Sequence, residues 1–256
     1  MNTLLEKKIN KMKHLSLIPL AIILLLAGSC QSPNQQAESS DTPSGSVQIA
    51  GAMRTVMHQG KLAGIIDLDT LQPRAGLYGL GPVEYLSGEL LIVDGQSYVS
   101  RVTDDSLMTV TEDFGVKAPF FVYAHREEWA QTTLPDSISN LKQLEAYLQE
   151  NTRQLERPFV FKLNGRIKQA VIHIQNLPAG TAVSSPEEAH QGQVNYPLSN
   201  ETVDIIGFYS TEHHGVFTHH DSDMHLHLIT ADRQQMGHLD ELGIATGGMT
   251  LFLPTS

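Results

Sequence analysis

Short apolar stretches alternate with glycine and other turn-forming residues from about residue 47 onward, a pattern that predicts many short β-strands. Residues 89–99 predict a hairpin, because Asp94-Gly95 is a strong two-residue turn signal between strand-forming side chains. For the same reason residues 159–167 predict a second hairpin around Asn164-Gly165. Further strands are predicted at 120–123, 170–174, 203–209 and 224–229.

One segment, residues 137–152, has the apolar spacing of an amphipathic helix. Its apolar stripe consists of Ile138, Leu141, Leu144 and Leu148. Residues 176–200 contain three prolines and are predicted to form loops. Because strands outnumber helices, we predict an α+β fold built mostly from mixed β-sheets. The helix would divide an N-terminal sheet part, about 47–155, from a C-terminal metal-binding part, about 156–256.

The first 29 residues have the features of a signal peptide. Four lysines between residues 7 and 13 precede an apolar run at 15–26. That run is too short to span a bilayer as a stable helix, so an export signal is the better interpretation. Met1 and Met12 are both candidate start residues.

Cys30 follows the small residues at 27–29, an arrangement that resembles a bacterial lipobox, in which the thiol is acylated. Residues 30–46 have no apolar periodicity and are predicted to be a lipid-anchored polar tether. The sequence therefore predicts an exported lipoprotein that is anchored to a membrane and faces the periplasm or the cell surface. Ordinary secretion with a free Cys30 is the alternative.

The composition excludes several kinds of chemistry for the exported domain. Of the 256 residues, 41% are hydrophobic and 18% are charged, which is typical of a globular protein. The formal net charge of −11 argues against nucleic-acid binding, which needs a basic face to neutralise phosphates. A single cysteine excludes an intrachain disulfide and a thiolate zinc cluster. Twelve histidines direct attention to imidazole chemistry instead.

The sharpest candidate site lies in the segment His225-Leu226-His227-Leu228. On a strand, alternate residues share a face, so the two imidazoles lie together and the leucines lie opposite. A turn through residues 232–237 would bring His238 beside them. Three neutral imidazoles with open coordination positions form a catalytic type of metal site. A histidine pair without a metal, in the core or on the surface, is the alternative interpretation.

Two other interpretations of the histidines stay open. A cupin-type site would use His225 and His227 with Asp232 as the carboxylate, but a cupin's last histidine normally lies farther along the chain than His238 does. The doublets His213-His214 and His219-His220 are interpreted as loop residues, and they also suit a non-enzymatic exported lipoprotein that binds metal.

Residues 223–240 resemble the metal-binding core of the acetolactate decarboxylases, which carry H-L-H-F, an acidic-Arg pair and G-G-H at this spacing. Other stretches match motifs of that family in the same order along the chain. They are 79–81 (G-I-G), 87–90 (D-G-E-L), 93–98 (D-G-x-F-Y), 118–120 (T-P-F), 162–165 (R-I-D-G) and 206–208 (V-G-F). The resemblance covers about residues 50–254.

The resemblance implies that His225, His227 and His238 bind zinc or another divalent transition metal. It also implies that Glu89 points into the site, where we expect it to act as a general acid. The implied reaction is decarboxylation of 2-acetolactate, a small-molecule substrate, to acetoin and carbon dioxide, with the metal as Lewis acid. The implied assembly is a homodimer.

Two departures from the family pattern concern the same site. His173 stands where the family has an arginine, and imidazole lacks the permanent charge and the bidentate fork of that side chain. The sequence ends at Ser256, about where the family has a tail with a glutamate that reaches the site. A diverged decarboxylase and a metal-binding protein with a different activity are both compatible with these departures.

Overall fold

The computed structural model describes residues 45–103 and 107–255. The predicted signal peptide and nearly all of the tether therefore lie outside the described residues. The described part contains strands β1 (Gln48–Ala50), β2 (Ile66–Asp67), β3 (Leu77–Pro82), β4 (Glu89–Val93), β5 (Gln96–Val102), β6 (Met108–Glu112), β7 (Lys117–Ala118), β8 (Phe121–His125), β9 (Trp129–Thr133), β10 (Phe159–Ile174), β11 (Val194–Ser199), β12 (Thr202–Tyr209), β13 (Met224–Thr230) and β14 (Met236–Pro254). Its helices are α1 (Met53–Gln59), α2 (Leu141–Asn151) and α3 (Pro186–Ala189), with 3-10 helices at Leu68–Thr70 and Glu84–Leu86.

Most strands form two six-stranded sheets. The first sheet has the order β1-β8-β3-β4-β5-β6, and the second has the order β11-β10-β12-β13-β14-β9. Strands β2 and β7 form a separate pair. The predicted α+β, strand-rich class is confirmed. No helix among the described residues is both long enough and apolar enough to cross a membrane.

The hairpin predicted at residues 89–99 is confirmed. Strands β4 and β5 are antiparallel neighbours, and the register pairs Val93 with Gln96 across the turn. Asp94 and Gly95 have φ values of 48° and 79°, which a two-residue turn with a left-handed backbone at both positions requires. This turn is local, so the short sequence signal was sufficient to predict it.

The hairpin predicted around Asn164-Gly165 is wrong. Strand β10 runs straight through these residues, and Gly165 pairs with Val203 of β12 on one side and with Met249 of β14 on the other. The backbone carbonyl of Gly248 lies where a Cβ at position 165 would be. The glycine is needed here for a close approach of two strands, and it does not mark a reversal of the chain.

The loop predicted for residues 176–200 is partly wrong, because it contains α3 and the strand β11. Strand β11 pairs with the second half of β10 and lies at the edge of its sheet. Pro197 is accommodated in this strand because an edge strand leaves one row of backbone donors unpaired. The predicted helix at 137–152 exists but begins only after Asn140, whose side chain accepts the backbone N–H of Gln143.

The two sheets pack against each other through a buried apolar cluster. The first sheet contributes Tyr78, Leu80, Leu91, Tyr98 and Val122, and the second contributes Val160, Ile206, Phe208, Ile229 and Met236. This packing brings the N-terminal end of β4 close to the hairpin of β13 and β14, where the predicted metal ligands lie.

Candidate metal centre

The hairpin of β13 and β14 brings three histidines together. His227 of β13 pairs directly with His238 of β14, and His225 lies two residues before His227 on the same face. Leu226 and Leu228 point to the opposite face and join the core of the second sheet. The reversal is closed by backbone hydrogen bonds around Thr230, so the ligand spacing follows from a short turn.

The donor atoms of these rings lie at distances suited to one ion. Nε2 of His225 lies 3.1 Å from Nδ1 of His238. One nitrogen from each of the three rings lies within 4.8 Å of the other two. Two ligands about 2.0–2.1 Å from a tetrahedral zinc ion are about 3.3 Å apart, so the closer pair has nearly the required separation.

The environment of all three rings favours the neutral form, which is the form that binds a metal. They are buried, and burial is the main reason why their pKa values fall below the usual histidine value. The pKa of His227 is lowered to about 3, with repulsion from His173 as the second cause. Nε2 of His227 is buried and has no hydrogen-bond partner within the described residues. An unpaired buried nitrogen beside two other imidazoles fits a transition-metal ligand.

Glu89 reaches the histidines from the other sheet. It is only 3% exposed, and its Oε2 lies 3.7 Å from Nε2 of His227. Its Oε1 accepts the backbone N–H of Gln175 at 3.2 Å. Burial raises the pKa of Glu89 well above the usual glutamate value, and the charge of Asp240 adds to this shift. The environment therefore favours the protonated form of this carboxyl.

His173 also borders the site. It pairs with His238 across β10 and β14, and the two ring centroids are 4.6 Å apart. Its Nδ1 donates to the carboxylate of Asp240 at 2.8 Å. Glu89, His173, His225 and His238 line one narrow cavity, hereafter the inner cavity. Of the predicted site residues, His227 does not line this cavity, but its Nε2 lies 3.7 Å from Oε2 of Glu89, which does.

Several residues that line this site were not predicted as site residues from the sequence. Gln175 lines the inner cavity, and Asp240 lines an adjoining outer cavity. His190 and His219 line both cavities. The strand alternation contained a usable signal, because Gln175 lies two residues after His173 and Asp240 lies two residues after His238. His219 and His190 come from separate loops, and no local pattern connects them with the hairpin.

The cavities differ in size. The inner cavity has a volume of about 20 Å³. The outer cavity has a volume of about 380 Å³, and its lining includes His173, His190, His219 and Asp240. A small organic acid bound beside His225 and His238 would therefore extend from the inner cavity toward the outer one.

Comparison with known proteins identifies the family of this chain. The family model of alpha-acetolactate decarboxylase matches residues 50–252. The chain belongs to the alpha-acetolactate decarboxylase family. An alpha-acetolactate decarboxylase of Lactococcus lactis subsp. cremoris is 25% identical over 175 residues, covering 67% of this chain and 70% of the relative. One from Methanosarcina mazei is 27% identical over 199 residues, covering 75% of this chain and 64% of the relative.

The fold is also shared with a solved member of the family. The crystal structure of alpha-acetolactate decarboxylase from Bacillus subtilis strain 168 has a TM-score of 0.67 and 20% sequence identity, covering 82% of this chain and 86% of that one. At this identity the likeness supports a common fold. Membership of the decarboxylase family rests on the family model.

Proposed function

We propose that this chain catalyses the metal-dependent decarboxylation of 2-acetolactate to acetoin and carbon dioxide. The observation that carries the proposal is the convergence of three buried neutral imidazoles beside the buried carboxyl of Glu89. In a member of the alpha-acetolactate decarboxylase family, this set of groups would supply a metal-binding position and a proton donor at one site. Both are needed when a carboxylate is lost and a proton takes its place.

His225, His227 and His238 would hold the metal, which we propose to be zinc. Three histidines leave at least one coordination position open, as catalytic zinc sites do. When bound, the metal supplies a Lewis acid that draws electron density from the ketone and hydroxyl oxygens of the substrate. The choice of zinc rests on the nitrogen donor set, which other divalent transition metals also accept.

Glu89 is the proposed proton donor. Decarboxylation breaks the bond between the substrate carbon and its carboxylate, and the electron pair stays on that carbon as carbon dioxide leaves. The carbon then takes a proton, and the Glu89 carboxyl holds one at Oε1 or Oε2 because burial raises its pKa. His173 lines the same cavity, and the role that the resemblance implies for it, holding the substrate carboxylate, stays a prediction.

Acetoin formation tests this function directly. Purified protein is incubated with racemic 2-acetolactate, with and without a chelator, and acetoin and carbon dioxide are measured. We expect enzyme-dependent acetoin that is lost on chelation and restored by added zinc. The variant His238→Ala should be inactive under the same conditions. Acetoin at the uncatalysed rate, from protein that contains one equivalent of metal, would refute the assignment.

We also propose that the protein is an exported homodimer anchored through a lipid on Cys30. The anchor is supported by the N-terminal lysine residues, by the apolar run and by the small residues before the single cysteine. Family resemblance is the support for the dimer. Metabolic labelling with a radioactive fatty acid should label the wild type and not Cys30→Ser, and sedimentation of the protein without its first 44 residues should give twice the monomer mass.

A further inference from the structure

Gln175 has an unused hydrogen-bond acceptor at the inner cavity. Its side chain is 4% exposed and lines that cavity beside Glu89 and His173. Its Oε1 is buried and has no hydrogen-bond partner among the described residues. Leaving an amide oxygen unpaired in the protein interior is unfavourable, so an acceptor in this position is suited to a ligand that donates a hydrogen bond.

The neighbours of Gln175 determine which way its amide points. Its Nε2 lies 3.4 Å from Nε2 of His173 and 3.3 Å from Oε1 of Gln193, both at the long end for hydrogen bonds. Of these two neighbours, Oε1 of Gln193 can only accept a hydrogen bond, so the amide NH₂ faces it. Oε1 of Gln175 is then the amide atom without a partner among the described residues.

We propose that Gln175 is a substrate-binding residue that recognises a hydroxyl group, with Oε1 accepting the hydrogen bond from the 2-hydroxyl of the substrate. Gln193 is a positioning residue, because its Oε1 accepts from the amide and holds it in the required orientation. The substrate class, a 2-hydroxy acid, rests on the proposed function. The recognition itself is a binding property and does not require turnover.

Two unreactive acids that differ in one hydroxyl group measure the contribution of that group to binding. The anion 2-hydroxy-2-methylpropanoate and 2,2-dimethylpropanoate have nearly the same shape and the same charge, and they differ by a hydroxyl in place of a methyl group. Their dissociation constants are measured by calorimetry or by ligand-observed NMR, on protein with its metal and again after chelation. A bound metal also attracts a hydroxyl oxygen, so the chelated protein shows the contribution of Gln175 alone.

The variant Gln175→Leu removes the acceptor and keeps a side chain of similar size. We expect the wild-type preference for the hydroxy acid to fall by about fivefold to tenfold in this variant, the effect of one net hydrogen bond. Gln169→Leu is the matched control, since Gln169 is exposed and lies on β10, the strand that Gln175 directly follows. The control should keep the wild-type preference.

Gln193→Leu tests the orientation without touching the buried residue. Gln193 is half-buried, so the variant should fold, and freeing the amide to rotate should reduce the preference by a smaller factor. Gln193→Glu keeps an acceptor oxygen and should restore the wild-type ratio. An unchanged preference in folded Gln175→Leu, or no preference in the chelated wild type, would overturn the proposal. A protein that makes no acetoin but loses its preference in Gln175→Leu would overturn only the proposed reaction.

Discussion

Replacing Glu89 by glutamine separates proton donation from the other properties of the site. In Glu89→Gln the amide oxygen can keep the place of Oε1, which accepts the backbone N–H of Gln175 at 3.2 Å. The volume of the side chain hardly changes. Because burial raises the pKa of Glu89, the exchange removes no charge from the metal-free core. We therefore expect the free energy of unfolding of the chelated protein to change by no more than about 1 kcal/mol.

The effect on activity should be far larger. An amide has no proton to transfer to carbon at neutral pH, and a positioned general acid contributes about 10²–10⁴-fold to a rate. The kcat for acetoin should fall by that factor in Glu89→Gln. The three imidazoles that would hold the metal are unchanged, so the variant should keep its metal.

The assay measures kcat, metal content and thermal unfolding on the same preparations. Glu241→Gln is the matched control, because Glu241 is an exposed carboxylate on β14 and the same substitution there should leave all three quantities unchanged. Wild-type kcat in Glu89→Gln would refute the assignment of the proton donor. Loss of the metal from that variant would show that Glu89 acts on the metal instead.

Three further predictions concern the metal and the fold. His238→Ala should lose one tight equivalent of metal, measured by elemental analysis after dialysis, whereas loss of several weak equivalents would indicate a scavenger. Chelation should lower the unfolding temperature of the wild type, since a metal at 100 times its Kd stabilises the folded state by about 2.7 kcal/mol, and an unchanged temperature would contradict a built site. Gly165→Ala should destabilise the fold by about 1–3 kcal/mol in urea unfolding, because the added Cβ meets the carbonyl of Gly248, and wild-type stability would contradict the close approach.

Local signals predicted the parts of the fold that depend on neighbouring residues. The turn at Asp94-Gly95 needs only two residues with a left-handed backbone, so the dipeptide was sufficient. The same kind of signal failed at Asn164-Gly165, because β12 and β14 pair with both edges of β10 and keep it extended. Pairing between distant strands contributes many hydrogen bonds, and a two-residue preference cannot oppose them.

The residues of the candidate site also fall into two groups, those that a local pattern predicts and those that only tertiary packing brings to the site. His225, His227 and His238 lie in one hairpin, so strand alternation and one turn were enough to bring them together. Glu89 was selected by family resemblance alone, because no periodicity connects β4 with β13. Gln175 directly follows β10 and Gln193 directly precedes β11, and their amides meet only after β10 has paired with both β11 and β14. Their contribution depends on tertiary packing, which a motif does not encode.

The proposed metal binding and the proposed substrate recognition therefore depend on different parts of the structure. The metal ligands need the register of a single hairpin, whereas Glu89 reaches them only because the two sheets pack together. The residues around the hairpin can change while its register stays the same. A histidine at position 173, where the resemblance implies arginine, is a change of this kind: it keeps its place beside His238 and uses Asp240 and Gln175 as partners. A histidine in this wall of the cavity leaves in place the three imidazoles that would hold the metal.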